Sequence, residues 1–115
     1  MPALIARQIT SRPAYQAYVG EHMPTEIYFD NEASDTRTLI EIQTEDRLGL
    51  LYAISQTLAE TALDIAGARI VTERGAAIDS FYVCEPDGGK VVSAERQKLI
   101  EHELRQAIHR LDAIA

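Results

Sequence analysis

The stretch Glu45-Asp46-Arg47-Leu48-Gly49-Leu50-Leu51 lies where the apolar periodicity of the chain changes. Before it, residues 38–44 alternate between polar and apolar side chains, which predicts a half-buried β-strand. After it, apolar residues recur at intervals of three and four, which predicts an amphipathic helix over residues 48–61. The stretch is therefore predicted to be the loop that leads from a strand into a helix. The apolar stripe of that helix consists of Leu50, Leu51, Ile54, Leu58 and Ala62.

Four further elements can be predicted from similar patterns. Residues 26–30 have strand propensity. Residues 64–73 and 76–84 are predicted to form a hairpin, because the short connection at Arg74-Gly75 permits only antiparallel neighbours. The last helix is predicted to begin after Ser93, whose hydroxyl suits an N-cap position. The apolar stripe of this helix consists of Ile100, Leu104, Ala107, Ile108 and Leu111.

The order of these elements is strand, strand, helix, strand, strand, helix. The last five match the split βαβ, or ferredoxin-like, fold, except that its final strand is missing. In that fold the final strand lies antiparallel beside the first strand, at the edge of the sheet. We predict that residues 26–31 take this place. The expected fold class is α+β, with a four-stranded antiparallel sheet and two helices on one face.

Length and composition restrict the class of protein. The 115 residues suit one domain, and 46% hydrophobic with 25% charged residues is ordinary for a globular protein. The net charge of -7 argues against nucleic acids and anionic membranes as partners. The single cysteine, Cys84, excludes an internal disulfide and fits a reducing compartment. With no signal peptide or membrane-spanning stretch in the sequence, the predicted location is the cytoplasm.

The sequence predicts two regions of different character. Residues 1–24 contain Pro13 and Pro24, which break any regular element there. This region is predicted to be a linker or an N-terminal arm, and we favour the linker. Residues 25–115 carry all the predicted elements and form the expected domain.

The loop and its neighbours resemble the signature of ACT domains. The segments Leu63-Asp64-Ile65, Ala68-Arg69-Ile70 and Asp79-Ser80-Phe81-Tyr82-Val83 extend this resemblance. Leu48 stands where many ACT domains have proline. The segment Phe29-Asp30-Asn31-Glu32-Ala33-Ser34-Asp35 further resembles the C-terminal ACT domain of bacterial uridylyltransferase/uridylyl-removing enzymes. The likeness covers residues 24–111.

The resemblance implies a regulatory domain that senses an amino acid, with glutamine favoured, in an enzyme that modifies the PII signal protein in nitrogen metabolism. The sequence contains no nucleotidyltransferase or metal-hydrolase motif, so we expect no catalytic residues, metal or cofactor in this chain. Family members pair with a second ACT domain, which implies a homodimer or a pairing with another ACT domain.

The chemistry of the loop suits a free amino acid. Exposed N–H groups at a helix start bind a carboxylate, and Asp46 can either meet an ammonium group or, as we favour, cap the helix. Gly49 permits close approach of a ligand or tight packing. In ACT dimers the following strand faces this loop across the subunit boundary. The predicted ligand-binding residues are Asp46, Arg47, Leu48, Gly49, Leu50, Ile65, Ala66, Gly67 and Ala68.

Other polar residues receive structural interpretations. Arg47 is expected to be a solvated or interface charge, and Arg69 to pair with Asp79 across the hairpin. Cys84 is expected to be a small strand residue without nucleophilic chemistry. The residues expected at the surface, without a metal, are His22, His102 and His109.

The sequence leaves open a second function, that of a ligand-independent ACT dimerisation or protein-interaction module, or a free-standing ACT regulator. In this hypothesis an exposed face and edge of the sheet pair with another ACT domain. The residues predicted to form that surface are Leu39, Glu41, Gln43, Ile78 and Tyr82.

Overall fold

The computed structural model describes residues 24–114, with side chains described as far as Asp112. The predicted linker or arm over residues 1–24 lies outside the described residues apart from Pro24, so it stays a prediction. Within residues 24–114, no helix is both long enough and apolar enough to cross a membrane.

Four strands and two helices follow one another in the predicted order. They are β1 (Glu26–Asp30), β2 (Thr38–Glu45), α1 (Leu50–Glu60), β3 (Asp64–Glu73), β4 (Ala76–Cys84) and α2 (Ala94–Ile114). The strands form one antiparallel sheet in the order β1-β2-β4-β3. The predicted α+β, ferredoxin-like arrangement is therefore confirmed.

Strand β1 takes the edge position that the final strand of the ferredoxin-like fold would occupy. It runs antiparallel to β2, with Phe29 opposite Ile40 and Ile27 opposite Ile42. Because the loop between β1 and β2 is short, the pairing of these two strands can be predicted from the local sequence. The described part of the chain contains no strand after residue 111, because α2 continues to Ile114. The predicted replacement is thus confirmed.

The core lies between the two helices and one face of the sheet. Ile40, Ile42, Phe81 and Val83 reach it from the two central strands, as their period of two requires. The helices supply the apolar stripes predicted from their spacing, and the members of those stripes in the core are Leu50, Ile54, Leu58, Ile100, Leu104 and Ile108.

The turn between β3 and β4 has the conformation of a two-residue hairpin. Arg74 and Gly75 have φ angles of 54° and 84°. Positive φ at both central residues matches the twist of antiparallel strands, which explains the glycine at the second position. The predicted hairpin of residues 64–73 and 76–84 is confirmed.

The predicted start of the last helix is confirmed, whereas the predicted start of the first helix is wrong by two residues. Ser93 Oγ accepts a hydrogen bond from the Arg96 amide at 3.3 Å, as an N-cap does. Helix α1 begins at Leu50, two residues after the predicted start. The physical reason is the left-handed backbone of Gly49, which interrupts the helical dihedral angles before Leu50.

The predicted exposed face of the sheet is wrong for its central strand. Leu39, Glu41 and Gln43 are 1%, 1% and 3% exposed. These residues belong to β2, which lies between β1 and β4 and is not an edge strand. Gln43 also donates a hydrogen bond from Nε2 to Glu41 Oε2 at 2.7 Å. Ile78 and Tyr82 of β4 are half-buried rather than exposed.

Candidate functional site

The loop between β2 and α1 ends in a backbone conformation that only glycine adopts readily. Gly49 is the N-cap of α1, with φ 81° and ψ 2°. A β-carbon at this position would lie 3.6 Å from Leu111 Cδ2, an ordinary van der Waals distance. The dihedral angle therefore explains the glycine, and tight packing does not.

The prediction that Asp46 caps the helix is wrong. Helix α1 has no side-chain hydrogen bond at its N-cap, and the N-cap residue is Gly49, three residues beyond Asp46. The amide of Asp46 instead donates to the Gly75 carbonyl oxygen at 2.8 Å, which joins the loop to the β3–β4 turn. The first turn of α1 thus keeps N–H groups without an intrahelical acceptor, as every helix start does.

Arg47 anchors the loop to α2 and is not a solvated charge. Its side chain is 16% exposed. Nε lies 3.5 Å from Asp112 Oδ1, and Nη1 donates to the Ile108 carbonyl oxygen at 3.4 Å. A longer ion pair of 3.9 Å joins Nη2 to Glu45 Oε1. These contacts orient the guanidinium toward the C-terminal part of α2.

A cavity of about 450 Å³ lies between this loop, the start of α1, the second half of β3 and the first half of β4. All five predicted loop residues line it, from Asp46 to Leu50. Four residues that the sequence reasoning missed line the other wall, namely Ile70, Thr72, Ala77 and Asp79. The period-two pattern of β4 was a usable signal for Asp79, because it places a carboxylate in line with Ala77, Phe81 and Val83.

The structure does not bring the second group of predicted residues into this cavity. Ile65, Ala66, Gly67 and Ala68 lie in the first half of β3, whereas the cavity is at the other end of that strand. The pairing of β3 with β4 is irregular between Ile65 and Gly67. These residues were predicted to contact a ligand across the boundary with a second subunit, and that contact stays a prediction.

Asp79 is the most unusual titratable residue of the cavity. The residue is 2% exposed, and among the described residues its Oδ1 has no hydrogen-bond partner. Burial raises the pKa of Asp79 to about 6. A backbone hydrogen bond with Val71 opposes this change, and the charge of Asp46 adds to it.

The predicted ion pair between Arg69 and Asp79 is wrong. The register of the hairpin places Arg69 opposite Ser80 and Asp79 opposite Ile70. Because side chains alternate along a strand, Arg69 and Asp79 project from opposite faces of the sheet. Strand β3 therefore supplies no cation to the buried carboxylate of Asp79.

A second depression lies along α2, but its cations are already paired. Arg105 donates to Glu101 Oε2 at 3.0 Å and to the Thr25 carbonyl oxygen at 2.8 Å.

His102 and His109 are exposed, as predicted. The side chains described for residues 24–112 include no group of three His, Cys, Asp or Glu residues that could hold a metal ion. Cys84 is buried within β4, as its strand interpretation requires.

Comparison with known proteins gives a family and a set of relatives. A family model described as ACR9-like, ACT-like domain matches residues 26–113. A bifunctional uridylyltransferase/uridylyl-removing enzyme of Cereibacter sphaeroides is 49% identical over 85 residues, which is 74% of this chain and 9% of the relative. The corresponding enzyme of Ruegeria pomeroyi is 46% identical over 87 residues, or 76% of this chain and 10% of the relative.

A third enzyme of the same name, from Novosphingobium aromaticivorans, is 37% identical over 107 residues, or 93% of this chain and 11% of the relative. The chain spans about a tenth of the length of the curated relatives it matches. No solved structure matches the chain significantly. The sheet is ferredoxin-like, Gly49 precedes the first helix, and the family model matches most of the chain. The chain therefore belongs to the ACT domain family and is homologous to the ACT region of uridylyltransferase/uridylyl-removing enzymes.

Proposed function

We propose that this domain senses a free amino acid, and that the cavity beside the β2–α1 loop is its binding site. The observation that carries the proposal is the composition of this cavity, which combines an uncapped helix start with two carboxylates, Asp46 and Asp79. Its volume of about 450 Å³ falls within the range of small-molecule sites, about 300–1,000 Å³.

The two charged ends of an amino acid match the two ends of this cavity. Free N–H groups in the first turn of α1 would donate hydrogen bonds to the carboxylate, with support from the helix dipole. The acidic residues would accept the ammonium group. Gly49 leaves the backbone at the helix start uncovered by a side chain, so a carboxylate can approach it closely.

We propose glutamine as the ligand, within an enzyme that controls nitrogen metabolism. The relatives are named for the addition and removal of uridylyl groups. The resemblance to the ACT domains of these enzymes implies glutamine as the amino acid that is sensed. The mechanism would be thermodynamic linkage. A ligand that binds one arrangement of ACT domains more tightly favours that arrangement, and thereby biases the catalytic domains joined to it.

Pairing with a second ACT domain, most simply in a homodimer, would complete the site. Strand β3 lies at the sheet edge, and Ile65, Ile70 and Val71 are 36–44% exposed along it. If two β3 edges pair antiparallel, the first half of one strand lies beside the second half of the other. Residues 65–68 of a second copy would then border the cavity at Ile70 and Thr72, which explains how both predicted groups could serve one ligand.

Titration calorimetry with a panel of amino acids tests this function. We expect glutamine to bind the folded chain at millimolar concentration or below, and to raise its melting temperature. Alanine and lysine, which differ from glutamine in side-chain length and charge, serve as specificity controls. Absence of binding by every amino acid in a folded dimer would contradict the proposal.

The second candidate function is an interaction module that needs no ligand. The observation in its favour is the apolar surface around the cavity, where Leu48, Leu51 and Tyr52 are 98%, 46% and 72% exposed. Exposed apolar surface of this kind is typical of protein contacts. Sedimentation velocity with and without glutamine separates the two functions. A dimer of unchanged stability and affinity in glutamine supports the interaction module.

A further inference from the structure

Asp79 is buried, and the described residues give it no cation as a partner. A buried polar atom without a hydrogen bond is unfavourable, and a buried charge more so. The cavity contains one other charged group of opposite sign, Arg47, but the contacts of that guanidinium are with Asp112, Glu45 and the Ile108 carbonyl oxygen. Within the described lining of the cavity, Asp79 therefore has an acceptor oxygen available for a ligand.

The position of Asp79 makes this oxygen useful. The residue lies on β4, on the sheet face that looks toward the helices, and it lines the same cavity as the start of α1. A ligand with its carboxylate at the helix start would extend from there toward the wall formed by Ile70, Thr72 and Asp79. Asp46, on the loop, is close enough to Asp79 for its charge to affect it.

We propose that Asp79 receives the α-ammonium group of the bound amino acid, so that the domain distinguishes amino acids from acids without an amino group. This inference rests on the amino-acid-sensing function proposed above and assigns the specificity-determining residue of that site. An ammonium group supplies both the hydrogen-bond donors and the positive charge that the buried carboxylate lacks.

The inference predicts a defined pH dependence of binding. The titratable groups that face Asp79 in the cavity are Asp46 and Arg47 of the loop and Tyr52 of α1, whereas the β3 residues that line it, Ile70 and Thr72, are uncharged. The pKa of Asp79 is about 6 without ligand. An ammonium partner lowers this pKa, so binding releases a proton near pH 6 and weakens as the pH falls, by up to about tenfold per pH unit below the pKa.

The decisive experiment compares two ligands and three proteins by calorimetry. The ligands are L-glutamine and glutaramic acid, which is glutamine without its α-amino group. The proteins are the wild type, Asp79→Asn and the control Asp87→Asn, which changes an exposed aspartate in a turn away from the cavity. We expect the wild type and the control to prefer glutamine by at least tenfold at pH 7.5. The Asp79→Asn variant should lose at least tenfold in affinity for glutamine and most of this preference.

A second measurement needs no variant, and so it holds even if Asp79→Asn does not fold. Glutamine binding by the wild type at pH 6, in buffers of different ionisation enthalpy, should release roughly half a proton. Unchanged glutamine affinity and preference in folded Asp79→Asn, or binding without proton release, would overturn the role of Asp79 while leaving the sensing function intact. If the wild type binds no amino acid, both proposals fail.

Discussion

The carboxyl group of Asp79 is held on the helix side of the sheet with 2% of the residue exposed, and its environment favours the protonated form. Burial is the main cause, and the negative charge of Asp46 acts in the same direction. The proposed ligand site could retain such a residue because a bound ammonium group would supply the missing partner. In the free domain, however, the same residue lowers stability once it is ionised.

Stability should therefore depend on pH through Asp79. The folded-state pKa of about 6 exceeds the ordinary aspartate pKa of 3.8, so the folded form binds more protons between these values. The free energy of unfolding falls as the pH rises from about 4 to about 6, by up to about 3 kcal/mol from this residue. Asp79→Asn should be more stable than the wild type at pH 7.5 and lose that advantage at pH 4. Urea unfolding of both proteins at the two pH values measures the difference, and a constant difference would contradict the assignment.

The left-handed conformation of Gly49 can be tested by comparing its substitution with that of a second glycine. Gly49→Ala places a β-carbon at φ 81°, and it should destabilise the domain by about 1–2 kcal/mol because an L-residue is strained there. Gly67→Ala is the control, since that glycine is in β3, has no positive φ and would place its β-carbon in open space. Thermal unfolding should separate the two variants clearly. Equal stability of both would show that the left-handed conformation of Gly49 does not matter.

At the scale of elements, Arg96 holds three of them together at the end of the domain away from the cavity. From the first turn of α2 it forms an ion pair with Glu85 after β4, with Nη2–Oε1 at 2.9 Å, and also donates to the Thr61 carbonyl oxygen after α1. The hydrogen bond and charge of Glu85 raise the pKa of Arg96. Both side chains are about one-fifth exposed, so water screens the pair only in part.

Replacing Arg96 should cost more than replacing an exposed arginine on the same helix. Arg96→Met should lower the free energy of unfolding by about 1–3 kcal/mol, because Glu85 and the Thr61 carbonyl oxygen lose a charged donor. Arg105→Met removes an exposed ion pair with Glu101 and an exposed hydrogen bond to the Thr25 carbonyl oxygen, and it should lower the free energy of unfolding by less than about 0.5 kcal/mol. Guanidinium titration measures both values. Similar losses in the two variants would argue against Arg96 as a link between elements.

At the scale of the whole molecule, the proposed pairing with a second ACT domain would use the exposed edge of the sheet. Strand β1 closes one side of the sheet, and β3 remains as the edge next to the cavity. Exposed strand edges pair readily with other strands, and charged side chains on them prevent this. The proposed ACT pairing therefore depends on β3 staying free of added charge.

The charge variant Val71→Lys tests this pairing. Val71 is 36% exposed on the edge strand, and the variant should weaken self-association at least tenfold without changing the melting temperature of the monomer. Val92→Lys is the control, because Val92 is 73% exposed in the connection between β4 and α2. Sedimentation equilibrium gives both association constants. A dimer that tolerates Val71→Lys as well as Val92→Lys would place the interface elsewhere.

Local sequence was enough to predict the elements, their order and the use of β1 as a substitute edge strand. Apolar spacing determines which face of a helix or strand is buried, and the lengths of the connections at Arg74-Gly75 and between β1 and β2 restrict which strands can be neighbours. The sequence also placed the start of the first helix within two residues, although the left-handed conformation of Gly49 moved that start from Leu48 to Leu50.

Only the tertiary structure decided which polar residues meet. Strand register separates Arg69 from Asp79 and turns Asp79 toward the loop, and the approach of α2 gives Arg47 its partner in Asp112. The burial of Leu39, Glu41 and Gln43 was likewise visible only in the folded chain. These features depend on contacts between distant parts of the chain, which the period of a single segment does not encode. The sequence thus determined the loop that leads into α1, and the packing of the sheet supplied the buried carboxylate opposite it.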